Sequence, residues 1–209
     1  MEKTENKSRF GLIGKNIDYS FSRGYFTQKF KDLKLDNFSY ENFDFQHIDE
    51  LHSVLKNEKN IKGFNTDYFG FQKAIEPCIK KHHKSALILG TGGASKAVAF
   101  VLKELGIPYR FVSRNPKKGA FSYTDLNQEL IEKHTVIVNC TPLGTYPEIA
   151  RKPNIPYEFI STHHLLFDLI YNPDKTAFLK AGEVKGAQIK NGDKMLTLQA
   201  EKAWEIWNS

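Results

Sequence analysis

The stretch Ser85-Ala86-Leu87-Ile88-Leu89-Gly90-Thr91-Gly92-Gly93-Ala94-Ser95 decides the class of fold. Its first five residues, SALIL, form a compact apolar run of strand length. Gly90 permits a sharp turn, and Gly92 leaves room for a ligand to approach the backbone. Downstream, residues 96–105 set Ala97, Val98, Val101, Leu102 and Leu105 on one helical face, and Gly106 stands where a helix-terminating glycine belongs. A strand, a glycine-rich turn and a helix N-terminus together offer unpaired N–H groups and a positive dipole end to a pyrophosphate. A bare Gly-x-Gly also serves ordinary tight turns. Its place between strand and helix is what points to a dinucleotide.

Working outward, apolar runs at residues 109–112, 135–138 and 165–170 read as further strands, and residues 175–180 and 196–207 as helices. Upstream, residues 9–13 read as a short strand and residues 20–30 as a helix capped by Ser20 or Ser22. Residues 40–45 alternate as a weaker strand, and residues 48–55 are helical in spacing. The polar stretch 56–62 follows, then a helix over 69–79 that Pro77 should terminate near Glu76. Strands separated by helices imply parallel β-α-β units and an α/β class. The expected architecture is a Rossmann-like doubly wound parallel sheet plus a smaller, shortened α/β substrate domain. The expected boundaries are 1–79 for the substrate domain, 80–188 for the nucleotide-binding domain, and 189–209 for a C-terminal helix returning to the first.

Composition sets the bounds. The chain has 209 residues, 40% of them hydrophobic, enough for a packed core. No run approaches the ~18 apolar residues that span a bilayer. Residues 1–9 are polar without an apolar stretch, so no secretory leader is expected. Two cysteines, Cys78 and Cys140, stand far apart without a CxxC, which favours a cytoplasmic setting and no metal site. Thirty Lys and Arg against 24 Asp and Glu give a net charge of +6, but the cations are scattered. The densest cluster, residues 80–84, carries no interleaved aromatics, so nucleic acid is disfavoured as a partner.

The end of the strand at 109–112 selects the cofactor. An NAD site usually carries Asp or Glu there for the ribose 2′-hydroxyl. This chain runs instead into Ser113-Arg114-Asn115, with Lys117 and Lys118 behind. A guanidinium can fork onto a 2′-phosphate and stack on adenine, so NADP(H) is expected over NAD(H).

With that turn, seven segments in order resemble the shikimate dehydrogenase family. They are Ser20-Phe21-Ser22; Asn65-Thr66-Asp67 with Gly70; Gly90-Thr91-Gly92-Gly93-Ala94; and Ser113-Arg114. Asn139-Cys140-Thr141-Pro142-Leu143-Gly144 and Tyr171-Asn172-Pro173 with Thr176 follow, and then Asn191-Gly192 with Met195-Leu196 and Gln199-Ala200. The resemblance implies reversible, NADP-dependent reduction of 3-dehydroshikimate to shikimate in aromatic amino-acid (chorismate) biosynthesis, by a monomer or homodimer. It gives Ser20 and Ser22 the substrate carboxylate, and Asp67 the ring hydroxyls and a part in proton transfer. Gln199 would hydrogen-bond substrate, Tyr171 would lie near substrate and nicotinamide, and Thr141 and Met195 would border the nicotinamide. Without the resemblance, the serines and Asn-Thr-Asp read as helix caps, and Tyr171, Thr141 and Met195 as packing residues.

One part of the family pattern is missing. Members carry an Asn-Val-Thr-x-Pro-x-Lys segment, whose lysine is the main catalytic residue, and later an Ala-Val-Asn-Thr segment with a substrate-binding asparagine. Here Lys62-Gly63-Phe64-Asn65 runs directly into Thr66-Asp67, so the shortening falls near residues 60–67. Loss between two Gly-Phe-Asn-like segments would leave a single copy, as found. Nothing marks Lys62 as the missing lysine. The alternative to a catalyst is a non-catalytic NADP-binding remnant or regulatory module of the same family.

Overall fold

The computed structural model describes residues 8–14, 17, 20–44 and 64–209. The helix expected over 48–55, the polar stretch 56–62 and Lys62 lie outside the described residues. The chain divides into two compact units, Met1–Gly63 and Phe64–Ser209.

In the smaller unit, β1 (Ser8–Gly14) and β2 (Phe38–Asp44) pair in parallel from Ser8 opposite Phe38 to Gly14 opposite Asp44. The crossover between them is α1 (Phe21–Asp32). Ser20 caps this helix, its hydroxyl oxygen accepting from the Ser22 N–H at 3.2 Å. Aromatic residues hold the unit together: Phe26 stacks on Tyr40 at 4.8 Å, and Phe30 meets Phe38 edge-on at 5.6 Å. Such pairs add about 0.5–1.5 kcal/mol beyond their buried area.

The larger unit begins with α2 (Thr66–Ile75). It starts three residues before the apolar spacing does, because the Asn65 side chain accepts from the N–H groups of Asp67 (3.0 Å) and Tyr68 (3.3 Å). A 3₁₀ turn, Glu76–Cys78, replaces the helix where Pro77 removes a donor. Then follow β3 (Ala86–Leu89), α3 (Gly93–Glu104), β4 (Tyr109–Val112), α4 (Gln128–Lys133) and β5 (Val136–Asn139). The chain continues through β6 (Leu165–Asp168), α5 (Ala177–Glu183), β7 (Gln188–Lys190) and α6 (Asp193–Trp207). The five strands form one parallel sheet in the order β4-β3-β5-β6-β7. All residues of β3, β5 and β6 are buried, as a sheet covered on both faces requires.

Strand alternation sorts the core into two layers. Ala86, Ile88, Val136, Val138, Leu165 and Phe167 pack with α2 and α3, while Leu87, Leu89, Ile137 and Leu166 pack with Ile131 of α4 and Phe178 and Leu179 of α5. The doubly wound parallel sheet is therefore present. The division of the chain differs from the expected one: it falls at 63/64 rather than 79/80, and α6 belongs to the unit of the sheet. The cause is that α2 covers the sheet through Phe71 and Ile75 and packs along α6. The short α4 and β7 are additions to the expected elements. Six and three residues are too few to display a period.

Candidate active site

The order of the sheet reverses at β3, with β4 on one side and β5 on the other. The loops leaving these three strands diverge, and a crevice opens at their carboxyl ends. A cleft of about 450 Å³ lies there, lined by Gly90, Thr91 and Gly92 after β3, Ser113 and Arg114 after β4, and Cys140 to Leu143 after β5, with Tyr123 and Arg151.

The glycine turn is shaped for a bulky ligand. Gly90 has φ +98°, and a Cβ there would come within 3.1 Å of Thr141 Cγ2 and 3.3 Å of the Cys140 carbonyl oxygen. Above Gly92 and Gly93, by contrast, nothing lies within 4 Å of an added Cβ. Gly92 caps α3 without a side-chain acceptor, so the first N–H groups of a twelve-residue helix remain open to an anion. The Ser95 hydroxyl turns away and donates to the Gly92 carbonyl at 2.7 Å. This donor set suits a pyrophosphate.

After β4 the chain closes a tight turn: Ser113 N–H donates to the Phe121 carbonyl at 2.9 Å, and Asn115 N–H donates to the Ser113 hydroxyl at 3.3 Å. Ser113 is half-buried and Arg114 exposed at the rim. Burial raises the Tyr123 phenol above its ordinary value, and nearby Arg114 offsets part of that rise. Among the described residues no carboxylate lines the cleft.

A buried polar network holds the β5 side of the cleft. Asp168, fully buried at the end of β6, accepts from Asn139 Nδ2 at 3.0 Å, Ile170 N–H at 3.1 Å and Thr176 Oγ1 at 2.6 Å. Asn139 Oδ1 accepts in turn from the N–H (3.0 Å) and hydroxyl (2.7 Å) of Thr141. Thr141 is thus aimed by a chain running back to Asp168. Burial pushes the Asp168 carboxyl up to about 6, against the three hydrogen bonds. The Cys140 thiol is raised well above its ordinary value by burial and by Asp168, so it is not a nucleophile at neutral pH.

The second cluster lies along α2 and α6. Gly70 lets these helices touch: a Cβ there would lie 2.5 Å from the Met195 carbonyl oxygen and 3.1 Å from Gln199 Cβ. One turn earlier, Thr66 Oγ1 donates to Gln199 Oε1 at 3.2 Å. Asp67 follows Thr66 in the first turn of α2. The protein around its carboxyl raises it above the ordinary value, although the side chain reaches solvent. Met195 is buried in the core with its neighbour Phe71. Tyr171 is half-buried in the loop after β6. In the smaller unit, Ser20 caps α1, and Ser22 hydrogen-bonds Tyr40.

The structure thus brings Gly90, Thr91, Gly92, Ser113, Arg114 and Thr141 to one cleft and Met195 and Gln199 to one helix seam, while Asp67 stands in the exposed first turn of α2. Gly93 and Ala94 open α3 directly above the turn. Tyr123 and Arg151 line the cleft without having been read from the sequence, since neither sits in a patterned segment. Among the described residues no helix is long and apolar enough to cross a membrane, and no group of three or more His, Cys, Asp or Glu is placed to hold a metal.

No family model matches the chain. A shikimate dehydrogenase (NADP(+)) of Caldicellulosiruptor saccharolyticus is 33% identical over 178 residues, covering 78% of this chain and 64% of the relative. The chain thus spans less than two thirds of that relative's length. A shikimate dehydrogenase (NADP(+)) of Clostridium botulinum strain Hall is 31% identical, covering 94% of this chain and 95% of the relative. That alignment runs over 248 positions against 209 residues, so at least 39 positions (248 less 209) have no counterpart here. Because it takes in nearly all of both chains, those positions lie inside it. Among solved structures, a chorismate mutase/shikimate 5-dehydrogenase fusion protein from Clostridium acetobutylicum matches with a TM-score of 0.81 at 28% identity, over 98% of this chain and 92% of that one.

Proposed function

The chain belongs to the shikimate dehydrogenase family, and from that premise we propose that it reversibly reduces 3-dehydroshikimate to shikimate with NADP(H), as a cytoplasmic monomer or homodimer in aromatic amino-acid biosynthesis. The observation that carries this reading is the cleft at the sheet's switch point, with an open glycine turn on one wall and Arg114 at the rim, where no carboxylate stands among the described residues. Gly90, Thr91, Gly92, Gly93 and Ala94 hold the pyrophosphate. Ser113 and Arg114 take the 2′-phosphate, and Thr141 and Met195 flank the nicotinamide. When bound, NADPH supplies the hydride.

The remaining roles rest on side-chain chemistry. Asp67 orients ring hydroxyls and exchanges the proton at the reacting oxygen, and burial raises its carboxyl above the ordinary value. Gln199, steadied by Thr66, hydrogen-bonds the substrate, and Tyr171 lies near it. Ser20 and Ser22 take the substrate carboxylate. The family's catalytic lysine segment is absent, and loss of one acid–base group costs about 10²–10⁴ in rate, so turnover should be slow beside that of full-length relatives.

The test is NADPH formation from shikimate, with NAD as control and Asp67→Ala as blank. Turnover with NADP that disappears in the blank supports the reading. NADP affinity without turnover makes the chain a non-catalytic NADP-binding protein. No NADP affinity refutes the cofactor assignment.

A further inference from the structure

The loop after β5, on the side of β3 opposite β4, brings Arg151 to the cleft. Gly144, at φ +102°, turns this loop back on itself, and an added Cβ there would come within 3.0 Å of the Arg151 carbonyl oxygen. Arg151 N–H donates to the Glu148 carbonyl at 3.1 Å, and Tyr146 N–H ties the loop to the Asn172 carbonyl at 3.4 Å. Arg151 then lines the main cleft together with Gly90, Ser113 and Arg114. It also lines an adjoining hollow of about 420 Å³ with Arg114, Tyr123, Leu143, Lys152 and Asn154. Among the described residues no acidic side chain lines either space. Lys152 leans over the Tyr157 ring at 4.3 Å, and Arg151 is the loop's guanidinium that lines both spaces with Arg114.

We propose that Arg151 is a specificity-determining residue, gripping the 2′-phosphate of NADP(H) together with Arg114. This rests on the cofactor reading above and names the side chain that completes it. A phosphate monoester carries about −1.5 to −2 charge at neutral pH, more than one guanidinium neutralises. Two planar forks, one from the loop after β4 and one from the loop after β5, can each give it paired N–H donors. Glu148 Oε2 lies 2.8 Å from Arg151 Nη1. Both partners are exposed, so that pair is weak and readily exchanged.

The experiment is titration of wild type, Arg151→Ala and Arg151→Lys with NADPH, NADH, adenosine 2′,5′-bisphosphate and AMP. Because Arg151 is exposed, the variants should keep the wild-type unfolding midpoint. Arg151→Ala is expected to weaken NADPH and the bisphosphate about five- to tenfold, while NADH and AMP change less than about twofold. Arg151→Lys, which keeps charge but not the fork, should fall between. Equal weakening of NADPH and NADH would overturn the proposal in favour of a pyrophosphate contact, and unchanged binding of all four ligands would overturn it outright. Wild type that fails to bind NADPH would instead sink the cofactor reading itself.

Discussion

Asp168 is the side chain whose replacement separates hydrogen bonding from charge in this fold. It is fully buried and accepts from Asn139 Nδ2, Ile170 N–H and Thr176 Oγ1. Asp168→Ala strands all three donors in a dry interior. Each unmet donor costs about 1–3 kcal/mol, so partial relaxation leaves a loss of about 3–6 kcal/mol. Asp168→Asn keeps an oxygen toward Asn139 and Ile170 and turns an NH₂ toward Thr176, whose hydroxyl can accept as well as donate. It should cost less than about 1.5 kcal/mol.

Charge adds a pH signature. Burial raises the native carboxyl to about 6, against an ordinary value near 3.8. Between these limits the native state holds a proton that the unfolded chain has released. The group's contribution is therefore fully present below about pH 4 and lost as pH rises through about 6, a change of about 3 kcal/mol. Buried His83 produces the opposite slope over much of the same range, so the quantity to read is the difference between wild type and Asp168→Asn. Urea unfolding at a series of pH values from 4 to 7 supplies it. The reasoning fails if Asn costs as much as Ala, or if the difference between wild type and Asp168→Asn does not vary with pH.

Gly90→Ala should put a side chain where φ is +98° and where Thr141 and Cys140 lie close. A loss of about 1–2 kcal/mol in stability is expected, with a larger loss of NADPH affinity, checked by urea midpoints and cofactor titration. His83 is held neutral: burial, helped by His82, Lys80 and His164, depresses it to about 4, while its Nδ1 accepts from Lys80 N–H at 3.0 Å. Since the native pKa lies below the usual 6.5, stability should fall as pH drops from about 6.5 to 4, by up to about 3 kcal/mol. His83→Gln should remove that fall; an unchanged acid limb of the unfolding profile would refute it.

Much of the fold is legible in local sequence. The run at 85–95 specifies strand, turn and helix because each is decided within a few residues, by apolar burial, glycine conformation and helical spacing. Arg114 is legible for the same reason: it directly follows a strand end. Asn65-Thr66-Asp67 is also local, and the structure shows its asparagine capping α2. The absent lysine segment is a sequence fact as well, matched in kind by the unpaired positions of the Clostridium botulinum alignment.

What tertiary structure alone decided is which distant residues meet. Asp168 in an apolar strand becomes the anchor of Thr141 only because β5 and β6 pair in register, Asn139 opposite Asp168. Arg151 reaches Arg114's cleft only because Gly144 folds the loop back and the sheet reverses order at β3. The unit boundary moved to residue 63 because Gly70 lets α2 seat against α6, a contact between segments more than a hundred residues apart. Propensity and spacing act over a few residues. Register, close approach of backbones and the convergence of loops depend on the whole packed sheet.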